Sequence, residues 1–552
     1  MAQTKLTDDK GELKSGRTIA DELATKQREI SISEFFLKNR HLLGFDNNKK
    51  SLLTAVKEAV DNSLDAAEEM KIAPELKVII DTVGEDRYRV IVEDNGPGIV
   101  KEQVGRVFGK LLYGSKFHRL KCSRGQQGIG ISAAAMYGQL TTGKPIKIWS
   151  KISPKKPAYY FELFIDTKKN EPNITKQEEI EWPEKEHGIK LEIEMEAKYG
   201  KGKQSVDDYL KQVAIANPHA HIVYITPEKE IMEFPSVTKQ MPKEPKEIKP
   251  HPYGVELGML IKMLKESKAN TVSGFLQAEF SRVSPAVAKE ICDKAMLDMK
   301  TKPSKVEVPQ VEAMYKAIQT TKIMSPPTDC LIPIGEEALQ KGLKKEVAAE
   351  FYTAVTRPPA VYRGNPFQIE VGLAFGGALE SEELVKVMRF ANRVPLLYQQ
   401  GSCASYNAVV DTMWRNYGLG QSKGALPTGP ALILVHMSSV WVPFTSEAKE
   451  AIASYPEITH EMKLALQECG RQLGIYIRKN IRAREQKDRV NLFEKYIPEV
   501  ADALARLSGG KKESIIASMQ KMLKKNMQNI IQEAMNGIEE KKEDDGKKGE
   551  EK

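Results

Sequence analysis

The chain has 552 residues, 41% hydrophobic and 29% charged, and its 83 Lys and Arg against 75 Asp and Glu give a net charge of +8. At roughly 100–200 residues per domain, this length allows about three or four domains with well-buried cores. The five cysteines are scattered with no CxxC pair, and the longest apolar runs, such as 431–435, fall far short of the roughly 18 residues a membrane helix needs. Zinc-ribbon, disulfide-framework, membrane-spanning, collagenous and disordered classes are therefore excluded. Residues 1–14 lack the apolar stretch of a secretory signal, so a reducing cytoplasm is the expected compartment. The mildly basic balance suits a polyanionic partner but is too weak to require one.

In chain order, residues 1–30 are polar and read as an arm that orders only against something else. From Ile32 the pattern turns helical, and strand-like runs follow at 77–81, 87–94, 144–150, 158–166 and 190–196, so 31–238 reads as one α/β sandwich. Prolines and lysines every few residues make 240–252 a stiff linker, and 255–297 returns to helical spacing; together they form a linker and small helical unit over 239–310. Further Pro-rich breaks fall at 301–310 and 325–333. Over 311–480, strand-like runs at 367–375 and 431–435 alternate with helical ones, as in a second α/β domain. Residues 457–535 look almost wholly helical, with 481–536 a separate C-terminal segment, and the Lys/Glu/Asp/Gly tail at 537–552 is expected to be disordered. The whole reads as an α+β multidomain chain.

Three segments carry chemistry. In EAVDNSLDA, Glu58, Asn62 and Asp65 fall at i, i+4 and i+7, within about 60° on a helical wheel, opposite Leu53, Val56, Val60, Leu64 and Ala67. A single amphipathic helix of this kind more often shows a solvated face, yet a carboxylate and an amide oxygen one turn apart also suit activation of a water and ligation of Mg²⁺. About 30 residues on, the strand-like 87–94 runs into Asp94-Asn95-Gly96-Pro97-Gly98, which alone reads as a turn. A further 30 residues on, Gly125-Gln126-Gln127-Gly128-Ile129-Gly130 precedes a small-residue helix at 132–137, where free N–H groups at a helix start can hold phosphate. Between them, GKLLYGSKFHR at 109–119 supplies glycine hinges and cations, or an ordinary basic loop. No GxxxxGK[ST] is present, so a P-loop has no support.

In this order and within 75 residues, the three segments resemble the ATP-binding Bergerat fold of the GHKL superfamily. The strings EFFLKNRHLLGFDN, SRGQQGIGISAAAMYGQ and PTDCLIPIGEEAL are similar, more narrowly, to B subunits of topoisomerase VI, the type IIB enzymes, with the likeness running over about 30–500. The resemblance implies a GHKL ATPase domain, a helix–two-turn–helix domain, and a ribosomal-S5-like transducer domain with a long C-terminal helix whose end docks on the DNA-cleaving A subunit. It implies Glu58 as general base, Asn62 as Mg²⁺ ligand, Asp94 as the acceptor for the adenine amino group, and Gly98 beneath the nucleotide. Lys116, Gly125, Gln126, Gln127, Gly128, Ile129 and Gly130 would complete the ATP contacts, with Asp65 in support.

The superfamily's usual Gly-Thr pair is replaced by Gly188-Ile189, which removes one expected adenine contact. Transducers of this class reach into the ATP site with one lysine. Lys449, read as starting a helix and thus opposing its dipole, is favoured over Lys423 in the Gly-rich loop GLGQSKGALP. The implied partners are double-stranded DNA, the A subunit in an A2B2 heterotetramer, and a second copy through the ATPase domain, at a cytoplasmic, nucleoid-associated location with no membrane. The alternatives are an ATPase clamp of MutL or Hsp90 type, or a non-hydrolysing nucleotide-gated scaffold.

Overall fold

The computed structural model describes residues 19–27, 29–116, 119–125, 128–446 and 448–536. The chain divides into two compact units, Met1–Thr412 with Ser422–Cys469, and Met413–Gln421 with Gly470–Lys552. Within the expected arm, Ile19–Lys26 forms helix α1, followed by α2 (Ile32–Lys38).

Helix α3 (Asn48–Glu69) runs 22 residues without Gly or Pro, and the Asn47 side chain caps it by accepting from Lys50 N at 2.9 Å. It lies against a sheet built from β1 (Glu75–Gly84), β2 (Arg87–Glu93), β3 (Ile146–Lys151), β4 (Ala158–Asp166), β5 (Glu171–Ile180), β6 (Gly188–Glu196), β7 (His221–Ile225) and β8 (Ile231–Phe234), in the order β5-β4-β3-β6-β2-β1-β7-β8. All neighbours are antiparallel except β1 and β7. Alternate residues such as Leu76, Val78, Ile80, Val90 and Val92 share one core with α3, α4 (Lys101–Gly109), α5 (Gly130–Thr142) and α6 (Val206–Ala216), a two-layer sandwich. Strand β5 has no buried residue. It is a polar edge strand, and nothing in its sequence alternates.

The Pro-rich stretch after β8 has no regular structure but is pinned at two points, by Lys246 N to Asp329 O at 3.0 Å and Ile248 N to Leu120 O at 3.1 Å. Helices α7 (Leu257–Glu266), α8 (Val272–Glu279), α9 (Pro285–Lys294) and α10 (Val308–Thr320) follow. The expected boundary at 310 falls inside α10, whose Val311, Met314, Ala317 and Ile318 bury in the same core as α7–α9. Pro309 stands in the first turn of α10, where a proline starts a helix rather than breaking it.

Then come α11 (Glu336–Glu346), β9 (Phe351–Thr356), β10 (Ala360–Tyr362), β11 (Asn365–Phe375), β12 (Lys386–Ala391), β13 (Val394–Pro395), α12 (Ala404–Asp411), the short β14 (Gly420–Gln421) and β15 (Pro427–Thr428), and β16 (Ala431–Ser439). The main sheet has the order β10-β11-β16-β12-β13, with β9 also on β11. Every residue of β16 is buried, which explains its continuous apolar run. Helix α13 (Pro456–Ser508) is continuous through the expected boundary at 480, and α14 (Lys512–Asn536) follows after Gly509 turns at φ +70°. No helix among the described residues is long and apolar enough to cross a membrane. The expected disordered tail at 537–552 lies outside the described residues.

Candidate active site

Helix α3 forms one wall of a cavity of about 330 Å³. Leu53, Val56, Val60, Leu64 and Ala67 are buried in the sandwich core, while Glu58, Asn62 and Ser63 line the cavity. The polar side of α3 is not a solvated face: Asp61, Ser63 and Asp65 are each only 6% exposed.

At one end, β2 delivers Asp94. Its Oδ2 accepts from the Ser63 hydroxyl at 2.7 Å, and its Oδ1 accepts from Gly96 N at 2.9 Å and Ile189 N at 3.0 Å. Burial lifts the Asp94 carboxyl above the usual carboxylate range despite these donors. Gly188 is required beside it, because a Cβ there would sit 2.2 Å from Asp94 O. Ile189 thus serves Asp94 through its backbone and adds apolar surface to the cavity with its side chain, alongside Val92, Ile99, Phe108 and Leu191. The loop after Asp94 is closed by His187 Nδ1 at 2.9 Å from Gly96 O.

Gly98 has φ +69°, and a Cβ on it would lie 2.2 Å from Lys151 O. Gly98→Ala is expected to cost about 2–5 kcal/mol from left-handed strain and overpacking. Thermal unfolding checks this; an unchanged midpoint would contradict the close approach.

At the other end, Gly125, Gly128, Ile129 and Gly130 line the cavity where α5 begins, and Gln126 and Gln127 lie outside the described residues. Gly130 is the first residue of α5, and a Cβ there would lie 1.7 Å from Glu58 Oε2, so the carboxylate rests against bare backbone at a helix N-terminus. Asn62 is exposed to the cavity with Oδ1 toward Gly125. Lys116 lines the same end, but its ammonium pairs with Asp65 at 2.7 Å and Glu69 at 3.5 Å.

Sequence reasoning missed Arg124, immediately before this loop. Its guanidinium, 3% exposed, donates to Asp65 at 2.8 Å, to both oxygens of Glu68 at 2.8 and 2.7 Å, and to Asn217 Oδ1 at 2.5 Å. His219 Nε2 meets Glu68 at 2.9 Å, and Arg393 approaches Glu68 at 3.9 Å. Burial would raise the Glu68 pKa, but Arg124, His219 and Arg393 pull it well below the ordinary range. Asp61, buried beside Glu58, accepts from Tyr209 OH at 3.0 Å and is pushed up to about 7 by burial.

Two segments from the second sheet's region complete the wall: Pro395–Tyr398, which starts at the last residue of β13, and Ala448–Glu450. The helix expected to begin at Lys449 is not there. Phe444 and Ile452 form an isolated bridge, Lys449 turns at φ +54°, and the next helix starts at Pro456. Opposition to a helix dipole therefore plays no part. Lys449 is half-buried as a residue, but its ammonium lies deep, with Nζ 3.5 Å from Arg124 O. Burial lowers its pKa, and Glu58 is the charge that most opposes this. Lys423 is exposed and outside the cavity lining.

Residues 47–169 match the family described as histidine kinase-, DNA gyrase B-, and HSP90-like ATPase, and 326–489 match that of the topoisomerase VI B subunit transducer. The chain is 51% identical over 488 residues to the B subunit of type 2 DNA topoisomerase 6 from Methanococcoides burtonii, covering 88% of this chain and 78% of the relative. It is 47% identical over 488 residues to the protein of the same name from Archaeoglobus fulgidus, covering 88% and 80%. To that of Pyrococcus furiosus it is 38% identical over 557 residues, covering 92% and 96%. With an ATPase-type cavity and a transducer segment in its wall, the chain belongs to the family of type 2 DNA topoisomerase 6 B subunits.

Proposed function

We propose that this protein is the ATP-operated gate of a type IIB topoisomerase. On nucleotide binding, two copies close through their ATPase domains around one DNA duplex. The closure passes through the transducer to the A subunits of an A2B2 assembly, which cleave a second duplex for strand passage. The observation that carries this reading is Lys449, a residue of the transducer match whose ammonium reaches the cavity holding Glu58 and Asn62. A site built from both regions gives the nucleotide differential affinity for one arrangement of the two, which any two-state switch requires.

The cavity fits a nucleotide in the chemistry of its walls. Apolar side chains and the buried Asp94 carboxylate suit a flat base with an amino group, and the glycines at the start of α5 suit phosphates. Asp94 accepts from the base amino group, with Gly98 leaving room beside it. Gly128 and Gly130 offer backbone N–H groups, Gly125, whose own N–H donates to Asp65 at 3.4 Å, lets the loop approach closely, and Lys116 and Lys449 offer positive charge. Glu58 takes the proton from the attacking water, while Asp65 and Arg124 hold α3 against the Gly-rich loop. Among the described residues no cluster of His, Cys, Asp and Glu could hold a metal by itself. The hard oxygen of Asn62 fits Mg²⁺ as one protein ligand among phosphate oxygens and waters. When bound, Mg²⁺ supplies neutralisation of phosphate charge.

DNA contacts run mainly through Lys and Arg to phosphate, so they weaken steeply with salt and carry little sequence preference. Such binding would keep the assembly on the nucleoid. The test is reconstitution with the DNA-cleaving partner on supercoiled plasmid. Relaxation that requires ATP, with turnover raised by DNA, supports the reading. Plasmid left supercoiled and turnover indifferent to DNA would overturn it.

A further inference from the structure

Lys449 and Glu450 are adjacent in sequence, yet they meet α3 at different points along its length. Lys50, in the first turn of α3, lies 2.5 Å from Glu450 Oε1 and 2.9 Å from Asp46 Oδ1. The two side chains are only 12% and 8% exposed. Burial works against the charge on Lys50, but Glu450 and Asp46 together raise its pKa above the ordinary value. Lys50 stands eight residues before Glu58, which is about 12 Å along the helix at 1.5 Å per residue. The Lys449 ammonium lies instead near Arg124 O, with Glu58 as its strongest opposing charge.

Lys449 stands in a left-handed turn, φ +54°, uncommon for a residue other than glycine, closed by its N–H donating to Ser446 O at 3.0 Å. A second segment grips the same cation: Lys50 Nζ lies 5.1 Å over the Tyr398 ring. That segment is itself fixed, since Gln204 Nε2 donates to Leu397 O at 3.0 Å, and Arg389 donates to Leu396 O at 2.6 Å and Tyr398 O at 2.8 Å. Lys50 is thus one cation of the ATPase helix held by two segments that follow β13 and β16.

We propose that Lys50 and Glu450 form a latch that seats the 448–453 segment on α3 and positions the Lys449 ammonium at the Glu58 end of the cavity. The inference rests on the role given to Lys449 above. A buried ion pair tolerates loss of one partner poorly, so the latch is closed with both ions paired or open with both hydrated, and has no stable half-open form. Glu450 and Lys50 are positioning residues.

The test uses the full chain as Lys50→Met, Glu450→Gln, their double variant, and Lys449→Met. It reads steady-state ATP turnover and amide hydrogen exchange over 448–453. Each latch single is expected to lower kcat roughly tenfold with little change in KM, and to speed exchange across the loop. The double variant should be no worse than Lys50→Met alone, which already loses the contact with Glu450 together with those to Asp46 and Tyr398. Lys50→Arg should retain most of the turnover. Wild-type turnover and exchange in Glu450→Gln, or fully additive losses in the double variant, would overturn the latch. Wild-type turnover in Lys449→Met would instead overturn the role of Lys449 and with it the positioning. Loop exchange in Glu450→Gln would then still decide whether the ion pair holds the segment.

Discussion

Glu58→Ala is expected to reduce ATP hydrolysis by about 10²–10⁴-fold, the usual contribution of a general base, while nucleotide binding stays within a few-fold of wild type. Glu58 is placed for this by α3 on one side and by the bare backbone of Gly130 on the other. Asp94, assigned to hold the base, keeps its anchors through Ser63, Gly96 and Ile189, and the Gly-rich loop stays tied to α3 through Arg124 and Asp65. Nucleotide-dependent dimerisation should therefore persist in the variant. Phosphate release, measured beside binding of a non-hydrolysable analogue, separates the two. Hydrolysis near the wild-type rate would show that another group activates the water. Loss of binding along with hydrolysis would show that Glu58 shapes the site rather than acting in it.

Arg124→Met carries the largest expected structural effect. The substitution keeps much of the side-chain volume but leaves Glu68 without its principal counter-charge and Asp65 with Lys116 alone. Removing one member of such a buried network costs about 3–5 kcal/mol. The pH dependence has a definite sign. In the wild type Glu68 is held well below its ordinary value near 4.5, so its contribution to stability is present above that value and is lost as pH falls through the folded pKa. Without Arg124 the carboxyls of Asp65 and Glu68 rise, and protonating them relieves the strain. The gap in thermal midpoint between wild type and variant should accordingly be widest near neutral pH and narrow toward pH ~5. A gap that is constant or widens on acidification would contradict the assignment of Arg124 as their counter-charge.

The site divides into parts that a single sequence carries and parts that it does not. Glu58, Asn62 and Asp65 were legible because a helix repeats every 3.6 residues. Asp94, Gly98 and the Gly-rich loop were legible because turns and close approaches restrict residue type. Ser63 sits inside the same string but on the side of the wheel reserved for neither face, and only the fold brings it to Asp94. Arg124 stands in a conspicuous string, yet its partners Asp65, Glu68 and Asn217 are 59, 56 and 93 residues away. Local spacing holds no trace of such pairs. The same applies to Lys50 with Glu450.

Secondary structure failed where the local pattern and the tertiary setting disagree. The segment from Lys449 reads as a helix start, but Lys449 turns left-handed and Phe444 bridges Ile452 instead. Strand β5 has no buried residue, so burial left no alternation to read. Prolines near 303 and 309 looked like a break, although each stands at a helix start.

The central claim, that nucleotide closes a gate made of two copies of this chain, is tested most directly by molar mass in solution, first with Mg²⁺ alone and then with Mg²⁺ and a non-hydrolysable ATP analogue. A shift from monomer to dimer on adding the analogue is the predicted result. Monomers that persist with the analogue demonstrably bound would contradict it.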